Sequence, residues 1–386
     1  MIANLASRII LRADGAALGF RAALGMTSRR PEAVFLMLHS VGGLSEAAYI
    51  PRAGMPGIPL DRFRELLRFF ARRGFKTLTA SQFAKRHAAG QIEPRTLVLT
   101  FDDGFRDNYT LAAPCLVDMG MTATFYPVCG WVSRPSPAWL HRAAWYADCD
   151  PAAFGNEVRI AGGDRWAVFF RTFRSTGDVA RDAMLMFRQA LRPAEQRAVL
   201  ERLAARLGYP PPDRLYMNWH ELADLHRAGM EIGGHTMTHR SLWTLPLPAA
   251  QREIVDAKQI LERRLGAPVR SFAYPYGHFL PAHVAMLRAA GYTHAVTVRP
   301  HHNAADIDRF ELGRYGINSE PDWSYLGRIA LGRTENPMAR VNRWLGRHLH
   351  ETIADSELGM IRLAPRGWAY DTIPAALALQ GQGGAE

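Results

Sequence analysis

The chain repeatedly runs a short apolar stretch into a polar or glycine stop and then into helical periodicity. Val34-Phe-Leu-Met-Leu38 stops at His39, and Thr96-Leu-Val-Leu-Thr-Phe101 stops at Asp102-Asp103-Gly104. Continuous apolar runs of this length suit strands buried on both faces, as in a parallel sheet. Between these two, Phe63, Leu66, Leu67 and Phe70 recur at i, i+3, i+4, i+7, and Gly74 ends the pattern. That is a helix with a glycine stop. Further strands are expected at 75–78, 122–128, 231–233, 271–274 and 293–298, with helices at 221–228, 250–265 and 282–290. Such alternation predicts a parallel βα architecture, whose chemistry sits at the carboxyl ends of the strands.

At 386 residues the chain is too long for one small module. Its texture changes from Trp131 to about Asn218, where helical patterns replace alternation and end near Tyr209-Pro-Pro-Pro212. The expected organisation is a basic segment over 1–30, a βα domain over 31–330 interrupted by a helical insertion at about 131–218, and a C-terminal extension over 331–386. A composition of 48% hydrophobic and 22% charged residues excludes wholesale disorder. No apolar run is long enough to span a membrane as a helix. Three cysteines (Cys115, Cys129, Cys149) exclude a disulfide scaffold.

The formal charge is +11, and of the 47 basic residues all but Lys76, Lys85 and Lys258 are arginine. They are scattered rather than striped, which argues against nucleic acid as a partner. Arg8, Arg12, Arg21, Arg29 and Arg30 face a single acid, Asp14, within the first thirty residues. This segment can be an ordinary packed helix, or a basic amphipathic helix in peripheral contact with an anionic membrane. It lacks an uninterrupted apolar core, so no cleaved signal peptide is expected, and a cytoplasmic or membrane-peripheral location is favoured.

Three motifs carry candidate chemistry. In Thr100-Phe-Asp-Asp-Gly104, two adjacent carboxylates at a strand end repel unless a cation or proton intervenes. Alternatively, Asp103 or Asp107 caps a helix beginning near Asn108. In Gly233-Gly-His-Thr-Met-Thr-His239, two histidines four apart follow a strand and a Gly-Gly turn, and can converge on one metal. Two histidines and one aspartate would leave coordination positions open, as catalysis by a metal-activated water requires. In Arg270-Ser-Phe-Ala-Tyr-Pro-Tyr-Gly277, the arginine can hold a carboxylate ionised, and Tyr274, Pro275, Tyr276 and Gly277 can floor a sugar subsite. The alternative is a surface arginine and a rigid proline turn.

Taken together, these motifs resemble the polysaccharide deacetylases of the NodB-homology type, carbohydrate esterase family 4. The resemblance covers roughly residues 34–130 and 215–320. It is supported by Leu36-Met-Leu-His-Ser-Val41, Ala123-Thr-Phe125 and Glu231-Ile-Gly-Gly-His235. It implies an α/β fold, a distorted (β/α)7 TIM-like barrel carrying the helical insertion, and hydrolysis of an N-acyl group on a sugar. The substrate would be a polysaccharide or lipid-linked glycan precursor. By the same resemblance Asp102 is the general base, Arg270 positions it, and Asp103, His235 and His239 bind a divalent metal, zinc in many members. A backbone N–H near Tyr276 would help hold the oxyanion. The family's late Leu-x-Leu-His segment, which supplies a general acid, has no clean counterpart. His39, His278, His294, His301 and His302 are the candidates, and His39 is preferred because it follows the first strand. Two other readings stay open: a non-catalytic glycan-binding protein of this fold, and a deformylase or amidase acting on a non-polymeric substrate.

Overall fold

The computed structural model describes residues 33–42, 57–172, 175–209, 214–317 and 321–331. The basic 1–30 segment and the extension beyond 331 lie outside these residues, as does most of the glycine- and proline-rich stretch at 43–58.

Eight strands are described: β1 (Val34–Leu38), β2 (Lys76–Thr77), β3 (Thr96–Asp103), β4 (Ala123–Pro127), β5 (Glu231–Ile232), β6 (Ser271–Ala273), β7 (His294–Val296) and β8 (Tyr315–Gly316). β5, β4, β3, β1 and β8 lie side by side, with β2 against the start of β3, while β6 and β7 form a separate pair. All of these pairings are parallel. Two single bridges join the two sheets, Gly234 with Phe272 and Val296 with Leu312. The result is a distorted seven-stranded ring whose ladder thins at those two seams, with β2 as a spur.

Helices separate the strands as the alternation predicts, except between β7 and β8, which a helix-free connection joins. α1 (Leu60–Ala71) and α2 (Ala80–Ala88) follow β1 and β2. A π-turn over Asn108–Ala112 and α3 (Ala113–Asp118) follow β3. Between β4 and β5 lie α4 (Trp139–Cys149), α5 (Pro151–Gly162), α6 (Arg165–Thr172), α7 (Val179–Gln189), α8 (Pro193–Leu207) and α9 (Trp219–Arg227). Then come α10 (Leu247–Leu265), α11 (Pro281–Ala289) and α12 (Trp323–Ala330). Local chemistry sets several starts. Thr79 and Gln82 form a reciprocal capping box on α2, as do Asn218 and Glu221 on α9.

The period-two alternation of strand side chains divides the core. Leu97, Leu99 and Phe101 of β3 and Val34, Leu36 and Leu38 of β1 point outward into the large cluster beneath the helices. Phe35, Val98, Tyr126, Ala273, Val296 and Leu312 form a smaller cluster inside the ring, closed by Phe83 of α2. A third cluster belongs to the insertion, where Phe154, Val158, Phe187, Val199 and Leu203 pack together and reach Phe105 and Trp131 of the ring. Full burial of each such large side chain is worth about 1.5–3 kcal/mol.

Candidate active site

Alternation also builds the site. On β3 the inward series is Val98, Thr100, Asp102, so one carboxylate follows the inner cluster toward the mouth. In a regular strand Asp103 would then face outward. Its φ of +70° breaks the alternation, and Gly104 continues the left-handed turn at +76°. A Cβ on Gly104 would come within 2.8 Å of Pro127 Cβ, so the turn needs a glycine. Asp103 Oδ1 thereby lies 3.2 Å from His239 Nε2 and 3.6 Å from His235 Nε2.

The histidines are held just as firmly. His235 Nδ1 lies 2.8 Å from the Ala273 carbonyl, which fixes it as a donor and leaves Nε2 with its lone pair facing Asp103. His239 Nδ1 lies 3.2 Å from the Tyr276 hydroxyl. The intervening loop is bonded on both sides. Cys129 N donates to Thr236 O and Gly130 N to Met237 O, while Glu253 of α10 accepts from Met237 N, Thr238 N and the Thr238 hydroxyl. Gly233 and Gly234 are not the turn expected from sequence. Both continue the strand direction, Gly233 N bonding Phe125 O and Gly234 N bonding Ser271 O. They are glycine because a Cβ would strike the Tyr126 ring at 2.4 Å and the Tyr292 hydroxyl at 2.4 Å.

Four of the six non-glycine residues with positive φ among the described residues are Asp103, Thr236, His239 and Tyr276. Left-handed backbone of this kind costs of order 1–3 kcal/mol per residue and gathers where geometry serves chemistry.

Asp103, His235 and His239 fit a divalent cation. All three are buried, and one ligand atom from each lies within 4.8 Å of the others. Asp103 Oδ1 has no hydrogen-bond donor. Without a cation, burial and the neighbouring Asp102 drive the Asp103 carboxyl well above its ordinary pKa. An acceptor left bare among buried imidazoles is costly, and a cation removes that cost.

Asp102 has a different partner. Arg314 grips it fork to fork, Nη1 to Oδ1 and Nη2 to Oδ2, both at 2.7 Å. The same guanidinium donates to Thr100 Oγ1 at 3.0 Å and to the Thr297 carbonyl at 2.8 Å. Burial pushes the Asp102 pKa up, but Arg314, with help from His235 and His39, leaves it lowered overall. Asp102 is thus an ionised carboxylate in a dry place.

This corrects the assignment of Arg270, which is exposed where β6 begins, at the end of the strand away from the mouth. The residue that sequence reasoning missed is Arg314. The available signal is its setting in Leu312-Gly-Arg-Tyr-Gly-Ile317, an arginine with no polar neighbour on either side. Tyr274 is also corrected as a sugar floor. It is fully buried, with its ring stacked on Phe279 at 4.4 Å, and Pro275 and Gly277 are buried beside it. Tyr276, partly buried and edge-on to His239, is the member of that motif that reaches the mouth.

Among the candidate acids, His39 continues the inward series of β1 and acts electrostatically on Asp102. Burial, partly offset by Asp102, holds its pKa at about 4. The others are engaged elsewhere. His278 stacks on Trp243, His294 meets the Thr293 hydroxyl, His301 meets the His302 carbonyl, and His302 meets Ile329 O and the Tyr315 hydroxyl.

Parallel strands whose carboxyl ends surround a triad that fits a cation and an arginine-held carboxylate define a βα-barrel protein with a hydrolase-like centre. The sequence profile of the polysaccharide deacetylase family matches residues 185–295, a stretch that includes both histidines but not the acid pair. Over 123 residues the chain is 32% identical to the poly-beta-1,6-N-acetyl-D-glucosamine N-deacetylase of Escherichia coli K12, a match covering 32% of this chain and 16% of that protein. Among solved structures, the Streptococcus pyogenes deacetylase PplD aligns with a TM-score of 0.52 at 15% identity, over 78% of this chain and 99% of the other. IcaB from Ammonifex degensii aligns at 0.50 and 19% identity, over 78% and 97%. The de-N-acetylase from Aggregatibacter actinomycetemcomitans aligns at 0.51 and 16%, over 77% and 99%. At these identities the structures speak for the fold. Residues 185–295 thus match the polysaccharide deacetylase family, whose named relative is an N-deacetylase, a hydrolase of a carbon–nitrogen bond other than a peptide bond, and the ring shares the fold of solved deacetylases.

Proposed function

We propose that the protein is a metal-dependent N-deacetylase, removing an N-acetyl or related N-acyl group from a sugar of a polysaccharide or lipid-linked glycan precursor. The observation that carries this reading is the convergence of Asp103, His235 and His239 beside a carboxylate that Arg314 keeps ionised. A divalent cation held by those three residues, zinc being our choice, would polarise the acyl carbonyl and acidify water. Asp102 accepts a proton from the attacking water, and Arg314 keeps its lone pairs aimed during that transfer. The Tyr276 backbone N–H is our candidate donor to the oxyanion, a contact worth about 3 kcal/mol in other hydrolases. His39, uncharged at rest, conveys a proton to the departing sugar nitrogen by accepting at one ring nitrogen and donating from the other. The bond broken is the amide C–N; the products are acetate and the sugar amine.

The test is acetate release from N-acetylglucosamine oligomers by purified protein with zinc or cobalt. Asp102→Asn should lower turnover by 10²–10⁴-fold. Absence of acetate release, or an Asp102→Asn variant as active as wild type, would remove the proposal.

A further inference from the structure

The insertion does more than cover the ring's flank. Trp139 at the start of α4 donates from Nε1 to the Thr238 carbonyl, 3.0 Å away, inside the loop that carries His235 and His239. Arg240, the residue after His239, lies over the Trp139 ring at 4.4 Å and donates to Gln196 of α8. Arg188, near the end of α7, lies 5.5 Å from the centre of the Tyr276 ring, whose hydroxyl meets His239. The insertion therefore forms one wall of the mouth and adds the Arg188 guanidinium to that of Arg240 on the histidine loop.

Neither arginine has a carboxylate within ion-pair distance among the described residues, and Arg188 Nε is buried without an acceptor. The acids nearby are already committed. Asp102 is neutralised by Arg314, Asp103 faces the cation site, and Glu253 takes three bonds from Met237 and Thr238, although its charge is felt at Arg240. Arg197 adds a further positive field on Arg240. Both Arg188 and Arg240 act on the Tyr276 hydroxyl, and Arg188 acts on His239. Trp139 and Tyr276 are partly buried beside them, two rings with the chemistry to meet a sugar.

We propose that this wall is an anion subsite, and that the N-acylated sugar recognised here carries a phosphate or carboxylate gripped by Arg188 and Arg240 while its ring lies against Trp139 and Tyr276. The inference rests on the deacetylase reading and adds the substrate's charge class to it. A guanidinium fork with no carboxylate partner matches the planar or tetrahedral oxygens of such groups better than it matches a neutral hydroxyl. Cation–π contact alone would account for the ring distances, but not for an arginine nitrogen left bare inside the protein.

The experiment compares calorimetric affinity for N-acetylglucosamine, N-acetylglucosamine 1-phosphate and N-acetylmuramic acid, using the full chain with zinc. At least one of the two acidic sugars should bind about ten-fold more tightly than the neutral one, with a preference that weakens as salt rises. The phosphate and carboxylate arms show which group the wall takes. Arg188→Gln and Arg240→Gln should collapse the preference, whereas Arg181→Gln, on the exposed side of the same helix, should keep it. Equal binding of all three sugars, including no binding of any, overturns the proposal, as does a preference that survives Arg188→Gln. Acetate release from a neutral oligomer in the same preparations decides the deacetylase reading separately.

Discussion

Arg314 and Asp102 show what one residue can settle. The guanidinium is fully buried and makes four hydrogen bonds, and two of them fix both carboxylate oxygens. Lysine offers a point charge rather than a fork. Arg314→Lys should therefore lower kcat/KM by about 100-fold through misaimed proton transfer while zinc affinity stays within about threefold, measured by titration calorimetry. Arg270→Ala should leave kcat/KM unchanged within about twofold. Removing Arg314 altogether strands a buried charge, at about 3–5 kcal/mol. A second expectation concerns histidines remote from the mouth's chemistry. Burial holds His294 at a pKa of about 3 and His283 at about 4, against an ordinary 6.5. The unfolded chain binds those protons first, so stability is full above about pH 6.5 and falls as pH drops toward 4. Melting temperature followed from pH 7.5 to 4.5 should decline, and His294→Gln should flatten the slope. An increase in melting temperature on acidification would contradict it.

At the scale of elements, the site depends on helices that contribute no ligand. Glu253 of α10 anchors the backbone of Met237 and Thr238, and so sets the loop geometry that turns His239 to φ +59°. Glu253→Ala should weaken zinc binding about 10–100-fold with the three ligands intact. The π-turn after β3 plays the same part for His39. Asn108 Nδ2 donates to the His39 carbonyl at 2.7 Å and to Asp107, which accepts from Ser40. Asn108→Ala should lower kcat about tenfold and leave zinc affinity alone. Strands and helices were readable in the sequence because their apolar periods are undisturbed, and β1 occupies the residues its run predicts. The expected helix near Asn108 opens as a π-turn instead, and Asp107 makes no side-chain cap on it. Its side chain is drawn to Ser40, a partner 67 residues away that no local pattern reveals.

For the whole molecule, seven strands and two seams bring residues numbered 39 to 314 to one rim. The acid pair and the histidine pair were legible because each is a short motif at the end of an apolar run. Arg314 was not, because its partner lies two strands over and 212 residues away, and its type is the commonest charge in the chain. The wall from α4, α7 and α8 was equally hidden, since Arg188 stands in an ordinary amphipathic helix and Arg240 in a loop with no charge pattern of its own. The ring has its own apolar cluster, so the fold should survive loss of the cation. Chelation is expected to abolish turnover while secondary structure by circular dichroism stays intact. Zinc at 1,000 times its dissociation constant should then restore activity and add about 4 kcal/mol of stability. Unfolding on chelation would show instead that the cation holds the ring together.

The bond between Asp102 and Arg314 spans 212 positions of chain. A polypeptide cut short before Arg314 would own all three candidate ligands for a cation and still have a carboxylate with nothing to aim it. Chemical competence is thus deferred until residue 314 has been made, and a product truncated ahead of it is expected to hold an ion and remain inert.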